Sequence, residues 1–517
     1  MENTRLAYRS KALTFTAHIK NKIIFAVQFS WLNPLLQINQ TKEVLKLIEL
    51  LPYFYGQYAL STGIVGLILA AIAYRKMPRY LPCFLFLAAI AGSLFFPQQS
   101  VRGHVLFATF SYSYFFQLLS LASGGLTCFL IEYSDLATSD KKAELYALVL
   151  FSLLGMGFLA VSDNLLSIFL GLECMTIPAY CMAAFGFSEK STESATKYVL
   201  FGAASAAIML FGMSLLYGIS GTLDLEKLSN AIHNAPTHLS AMALLLLLVG
   251  LFFKIAAFPF HAWAPDVYEG TPTPLVAFFS IAPKALAFCV LIRLVDLLEN
   301  PLIHTALVVI SILSMTVGNL LALGQSNSKR LLAYSSVSHA GFLLMGIASG
   351  PLFSFDAVIY YLCIYLLMNF SAFHLLQVIA KWKGSEDIES FSGLGKSNPY
   401  LATSLLITMI SLTGLPPAAG FSAKLFMFSG VYEAYKNQQD LHLLTMLLVA
   451  LVNTVLSLFY YLKMPFYAFF RGNGENAALI LSKSEKAFIL TLNALLLLFF
   501  FKPDWVFVII KLTKLEG

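Results

Sequence analysis

Apolar runs of about 20 residues recur along this 517-residue chain from near its start to near its end. In hydrocarbon no water is available to the backbone, so runs of this length must become membrane-spanning helices. Spans are read near residues 50–74, 79–97, 106–132, 143–160, 164–187, 195–219, 239–260, 273–298, 302–323, 331–350, 354–380, 400–435, 440–470 and 485–510, about fourteen in all. A soluble reading fails on surface chemistry. The chain is 58% hydrophobic and 12% charged, against about 25% charged residues in a soluble domain. Most connections are short and leave no room for a separate soluble domain. The fold class expected is an all-α polytopic membrane protein.

Two spans carry their own interruptions. The seventh contains Phe258-Pro259-Phe260-His261, and the twelfth contains Gly414-Leu415-Pro416-Pro417-Ala418-Ala419-Gly420. Proline removes a backbone donor and clashes with the preceding turn, so both helices should break inside the membrane. Broken backbone is tolerated at that depth only where it faces protein or a wet cavity. The breaks lie five spans apart. An odd offset puts corresponding helices in opposite orientations, so two inverted five-helix units are expected, helices four to eight and nine to thirteen.

Ionisable residues lie deep in the apolar segments. Glu173, Lys254, Lys284, His339 and Lys424 fall in five different spans. A charge at membrane depth costs several kcal/mol or more. His339 follows the surface residue Lys329 by ten positions, which places it ~15 Å inside a core ~30 Å thick. The other four fall at comparable depth when counted from their own span ends. Desolvation brings lysine and carboxyl groups toward titration near neutral pH, and histidine starts there. Such a set, bridged by water, can pass protons. Glu173 with Lys254 is the candidate switching pair.

Plainer readings stand beside these. Glu173 could anchor a helix contact. The lysines could snorkel, although mid-span positions suit that poorly. His339 could be a core histidine bonded to Ser335 or Ser336. Lys197 lies one turn after Glu193 and reads equally as an interfacial ion pair or as a relay group. His261 follows the first break and could line a wet cavity or contact the loop. His374 and Lys463 read as structural. Asp266 and Glu269, beside Pro265 and Gly270, read as turn or subunit-contact residues.

Loop charge orients the chain. Arg75, Lys76, Arg79, Lys329, Arg330, Lys381, Lys383, Lys396, Arg471, Lys483 and Lys486 fall on one side of the fourteen-span arrangement, which the positive-inside rule makes cytoplasmic or its organellar equivalent. Residues 1–49 are basic and fit this badly. They read as an interfacial helix, an extra span or a processed extension. The net charge of +6 reflects membrane-flanking loops, not nucleic-acid binding. The six cysteines have no metal-ligand spacing, which argues against an iron–sulfur cluster, and no phosphate-binding glycine loop is present.

Several segments resemble a known family. "FKIAAFPFHAWAPDVYEGTPTPLVAFFSIAPKALAF" (253–288), "SNSKRLLAYSSVSHAGFLLMG" (326–346), "SLTGLPPAAGFSAKLFMF" (411–428) and "FLGLECMTIPAY" (169–180) are similar to subunit N, or subunit 2, of the proton-pumping NADH–quinone oxidoreductase, respiratory complex I. The Lys-Arg-Leu-Leu-Ala-Tyr-Ser-Ser stretch is shared by all antiporter-like subunits, whereas Ala-Pro-Asp-Val-Tyr-Glu-Gly singles out subunit N. The resemblance covers roughly residues 45–510 and implies fourteen helices with two inverted repeats. The chain divides into three helices over 50–142, repeats over 143–298 and 299–470, and a last helix in 471–517, and its basic extension over 1–49 departs from the family in being longer than the usual start.

The resemblance also implies roles. Glu173 matches a fifth-helix glutamate paired with the lysine at Lys254. Lys284 matches the central lysine of the eighth helix, and Lys424 a twelfth-helix lysine near the far exit. Lys197 and His339 match relay positions. The expected function is proton translocation coupled to electron transfer from NADH to quinone. This chain would bind no cofactor or metal, and other subunits would hold NADH, FMN, iron–sulfur clusters and quinone. Expected partners are other membrane-arm subunits, the lipid bilayer and protons. The bacterial inner membrane is the expected host, with the mitochondrial inner and thylakoid membranes as alternatives. The competing functions are a cation/proton antiporter subunit, the membrane subunit of a related energy-converting hydrogenase, and a structural scaffold.

Overall fold

The computed structural model describes residues 111–297, 299–472 and 481–514. The first two expected spans, the 1–49 extension, and Arg75, Lys76 and Arg79 lie outside them. Seventeen α-helices make up the described residues, joined by short 3-10 turns and without strands. They are α1 Ser113–Glu132, α2 Lys142–Leu159, α3 Leu165–Ala183, α4 Glu189–Ser220, α5 Leu225–His233, α6 Thr237–Ile255, α7 Trp263–Gly270, α8 Thr273–Arg293 and α9 Pro301–Leu323. There follow α10 Ser328–Ala348, α11 Pro351–Lys383, α12 Leu394–Ser397, α13 Pro399–Thr413, α14 Ala419–Gln438, α15 Leu441–Phe470, α16 Lys483–Phe501 and α17 Asp504–Thr513. Eleven are long and apolar enough to cross a membrane.

Burial sorts these helices by role. The apolar window of α8 is wholly buried, and those of α10 and α11 are 94% buried. A helix apolar all round and enclosed on every side belongs to the centre of a bundle. Peripheral helices turn apolar side chains outward instead. On α15, Val452, Val455 and Phe459 are exposed, as a lipid-facing stripe requires.

Both expected breaks are present, and they are built alike. Helix α6 ends at Ile255, with Ala256 in the left-handed region at φ 56°. Helix α13 ends at Thr413, with Gly414 at φ 83°. At the first break Ala256 N–H donates to Phe253 O and Ala257 N–H to Phe252 O; at the second, Gly414 donates to Ser411 and Leu415 to Ile410. This is the Schellman closure, which satisfies end carbonyls that would otherwise be bare. Each break also holds a cis X-Pro bond, Phe258-Pro259 and Pro416-Pro417. The seventh span stops three residues before the phenylalanine of that bond, because the left-handed cap at Ala256 ends the helix first.

A second repeated device lies at the two membrane faces. Asn164 caps α3 and bridges to Asp224; Asn327 caps α10 and bridges to Asp387. The backbone bonds match in kind: Leu165 N–H to Leu223 O and Leu225 N–H to Asp163 O at one, Ser328 to Glu386 and Ile388 to Ser326 at the other. The second bridge lies on the face carrying Lys329, Lys381 and Arg330, here called the basic face, and the first lies opposite. The same units therefore appear inverted. The last expected span differs: α16 ends at Phe501, and α17 begins after Pro503, whose ring cannot continue the ladder.

Helix crossings inside each unit need glycine. A Cβ on Gly155 would lie 2.5 Å from Met175 N, and one on Gly318 would lie 2.6 Å from Ser338 N. Both obstacles are backbone and cannot swing aside. Gly318→Ala should force α9 from α10 and cost about 1–3 kcal/mol. Gly324→Ala, whose added atom has no neighbour nearer than 3.9 Å, should have little effect. Thermal unfolding of the purified protein tests this, and equal midpoints for the two variants would refute the crossing argument.

Candidate functional site

The deepest charged groups are held by neutral partners. Lys254, near the end of α6, is 6% exposed and donates to the Thr176 hydroxyl on α3. Its ammonium also lies 5.2 Å from the Phe253 ring centroid and 5.8 Å from that of Tyr180, within cation–π range. Glu173 lies one turn before Thr176 and is half-buried. No ion pair within 4 Å joins it to Lys254. The direct pairing expected from sequence is replaced by a hydroxyl contact on the same face of α3, since residues three apart share a face.

Lys284, in the centre of α8, is 2% exposed and donates to Ser336 Oγ at 2.8 Å. One turn further along α10, His339 is bonded through both nitrogens, Nδ1 to Tyr361 Oη at 2.7 Å and Nε2 to Tyr461 Oη at 2.9 Å. The Tyr365 ring lies 4.6 Å from the His339 ring. The expected bonds to Ser335 or Ser336 are absent. Those hydroxyls donate to carbonyls of their own helix, Leu332 and Ala333, the usual arrangement for serine inside an apolar helix. Another turn on, Phe342 presents its ring 4.6 Å from the Lys424 ammonium. Lys424 donates to Thr413 O at 2.7 Å, a carbonyl at the broken end of α13. That end carries partial negative charge, so a cation suits it. Ser336, His339 and Phe342 thus make α10 a spine between Lys284 and Lys424.

Two clusters result, Glu173/Thr176/Lys254 and Lys284/Ser336/His339/Lys424. No side-chain hydrogen bond among the described residues joins them. His261 is half-buried after the first break, stacked 5.6 Å from Phe258, and its Nδ1 is buried without a partner.

Lys197 stands apart. It pairs with Glu193 at 2.7 Å and Asp266 at 2.7 Å, and its side chain is 39% exposed. The interfacial ion-pair reading describes its contacts. Asp266 and Glu269, read from sequence as turn or subunit-contact residues, lie in the helix α7 at the centre of an ion network. Arg330 reaches both at 2.8 Å, and Lys190 reaches Glu269 at 2.6 Å. The short helix α7 thereby ties α4 to α10 at the basic face. Lys329 is buried next to it, paired with Glu386 at 2.6 Å and donating to Thr271 O at 3.1 Å. Lys463 donates to Gln325 O at 2.9 Å, a structural contact as expected.

A family model described as NADH:quinone oxidoreductase/Mrp antiporter, transmembrane, matches residues 162–457, the stretch that contains both broken helices and every group above except Tyr461 and Lys463. The chain belongs to this family. It is an integral membrane protein. It is similar to "NADH-quinone oxidoreductase subunit N" of Trichlorobacter lovleyi, 37% identical over 71% of this chain and 75% of that one. It is 35% identical to the protein of the same name from Chlorobium chlorochromatii, over 82% and 86% of the two chains. Among solved structures, a chain of the respiratory complex I of Thermus thermophilus superposes with TM-score 0.74 at 34% identity, covering 87% of this chain and 98% of that one.

The sequence missed the neutral partners Thr176, Tyr361 and Tyr461, and offered Ser336 to His339 rather than to Lys284. Their only signal is spacing: Thr176 follows Glu173 by one turn, and Ser336 precedes His339 by one turn. The network around α7 gives a test. Burial tends to raise the Asp266 and Glu269 carboxyls, but Lys197 and Arg330 on the first, and Lys190 and Arg330 on the second, hold both below their ordinary values. A carboxylate depressed in the folded state stabilises above its unfolded pKa and loses that contribution as pH falls through the folded one. Asp266→Asn should therefore lower the unfolding temperature at pH 7. The gap to the unsubstituted protein should close below about pH 4, and a gap that persisted at low pH would show that the ion pairs are not its source.

Proposed function

We infer that this chain is the antiporter-like, proton-translocating membrane-arm subunit of a proton-pumping NADH–quinone oxidoreductase. One observation carries the reading. Three lysines and a histidine lie in the apolar interior, held by hydroxyls, a carbonyl and aromatic rings, with no carboxylate of the described residues within 4 Å of any of them. A lysine paired to a carboxylate leaves that carboxylate bare if it deprotonates. One held by neutral groups gives up its proton without that penalty. The subunit N proteins that the chain matches over most of their length bear the name of the complex.

In this reading quinone reduction elsewhere in the complex shifts charge along the membrane arm, and protons move through this subunit. Glu173 acts as modulator: its charge, one turn from Thr176, biases Lys254 without an ion pair between them. Lys254 is the switch, Lys284 and His339 the middle, Lys424 the far end. The two tyrosine hydroxyls on His339 fix its ring, and each can accept or donate as the tautomer changes. Water bridges the gap between the Lys254 and Lys284 clusters. His261 faces the first break and adds a protonatable group there, while Lys197 serves the α7 network. Electron transfer, with NADH, FMN, iron–sulfur clusters and quinone, belongs to other subunits, and the partners of this chain are membrane-arm subunits and lipid.

Lys254→Ala and Glu173→Ala should each reduce the protons pumped per quinone at least several-fold in an assembled complex. Proton uptake by vesicles during NADH oxidation measures this, with subunit content checked on native gels. Undiminished pumping in an assembled Lys254→Ala complex would overturn the relay.

A further inference from the structure

A second polar seam lies outside the Lys284–Lys424 row. It begins at a cavity of about 660 Å³ on the basic face, lined among others by Ser134, Pro272, Lys329, Gln377, Lys381 and Glu386. Gln377 forms part of the wall. Its amide nitrogen donates to Leu130 O at 3.1 Å, and its Oε1 is buried without a partner. One turn deeper on α11 is His374, 0% exposed, with both ring nitrogens unpartnered. Its neighbours are the edges or faces of Phe129 and Phe488, with centroids at 6.0 and 5.0 Å. A further turn in, Ser371 Oγ lies 2.7 Å from Thr408 Oγ1 on α13. Asn493 of α16 accepts from both, at 3.4 and 3.3 Å.

The seam continues on α13. Ser404, Thr408 and Ser411 follow one another at four and three residues, so they share a face, and all three are buried. Ser411 Oγ accepts from Gly420 N–H at 3.3 Å. Gly420 belongs to the second break, one turn before Lys424. Two helices thus carry matching polar stripes, Gln377/His374/Ser371 and Ser404/Thr408/Ser411. They meet at one hydroxyl pair and run from the basic-face cavity to the break that holds Lys424.

Buried polar atoms are paired in folded proteins, because each unpaired one costs about 1–3 kcal/mol. Three unpaired atoms on two adjacent turns, beside an open cavity and leading to further hydroxyls, are satisfied most simply by water entering from that cavity. We propose that this seam is a hydrated side passage from the basic face to the Lys424 break, with His374 as its proton-carrying residue. A neutral imidazole takes a proton on one nitrogen and releases one from the other. No charge stays behind, and a ring flip or a returning proton resets the tautomer. The far-end lysine would then draw protons from the basic face without routing them through Lys254. The passage rests on the relay reading given above, but its hydration does not.

The test separates the two. Ser371→Cys and, as control, the adjacent Ala372→Cys, also buried, are introduced into the full complex. A small membrane-impermeant methanethiosulfonate reagent is supplied at the basic face. Label on this chain beyond that of the unsubstituted protein should appear at least ten-fold faster for Ser371→Cys. Equally slow labelling of both overturns the passage, whatever becomes of pumping in Lys254→Ala. The proton role is read from His374→Leu and His374→Gln. Both should lower the protons pumped per quinone by a similar factor, since neither side chain titrates. Full pumping in either variant overturns the role of His374. Recovery by glutamine alone would assign it to hydrogen bonding.

Discussion

Lysines with no counter-ion among the described residues, set in an apolar interior, are the constraint on which the rest of this structure turns. Removing an ion from water costs several kcal/mol even after relaxation, and a hydrogen bond to a charged group returns only about 1.5–3 kcal/mol. Each lysine therefore needs more than one favourable contact. Lys254 has a hydroxyl and two rings, Lys424 a carbonyl and a ring. Lys284 has the hydroxyl and the carbonyl of the same serine. The wholly buried α8 can carry such a group only because α10 turns Ser336 toward it.

The broken helices supply part of this chemistry. A continuous helix consumes its own carbonyls, whereas an end frees four of them. The Schellman closures recover two at each break. What remains is used by side chains: Thr413 O by Lys424, and Phe253 O a second time by the Trp263 indole at 3.1 Å. Both breaks share one backbone construction, yet they serve different ends. The first redirects the chain into α7, whose two carboxylates bind α4 to α10 at the basic face. The second leaves a carbonyl exposed to a buried cation.

Much of the architecture was legible in the chain. Run length gave most spans from α1 onward to within a few residues, although α4 begins earlier than read, at Glu189, and α8 ends earlier, at Arg293. The left-handed cap at Ala256 and the proline at 503 also cut two spans short. Neither position advertises itself: alanine rarely takes positive φ, and the apolar run continues past Pro503. The charged members of the site were also legible, because a lysine in a lipid-soluble stretch stands out against its neighbours. Their partners were not. Thr176, Ser336 and the tyrosines are ordinary in apolar helices, and nothing local marks one serine as a lysine acceptor and the next as a carbonyl donor. The ion network of Asp266 and Glu269 is not legible for a related reason, since their four cationic partners, Lys190, Lys197, Arg330 and, through Glu269 O, Lys329, come from two other helices.

The sequence by itself determined that this protein lives in a membrane, where its helices must break, and which residues would be charged at depth. These follow from run length, proline chemistry and desolvation, all of which act within one segment. Only the tertiary structure decided that no ion pair joins Glu173 and Lys254, that two tyrosines hold His339, and that His374 stands unpaired one turn from a cavity wall. Those depend on which faces of separate helices meet, and a contact between residues 78 or 122 positions apart is set by packing rather than by any local pattern.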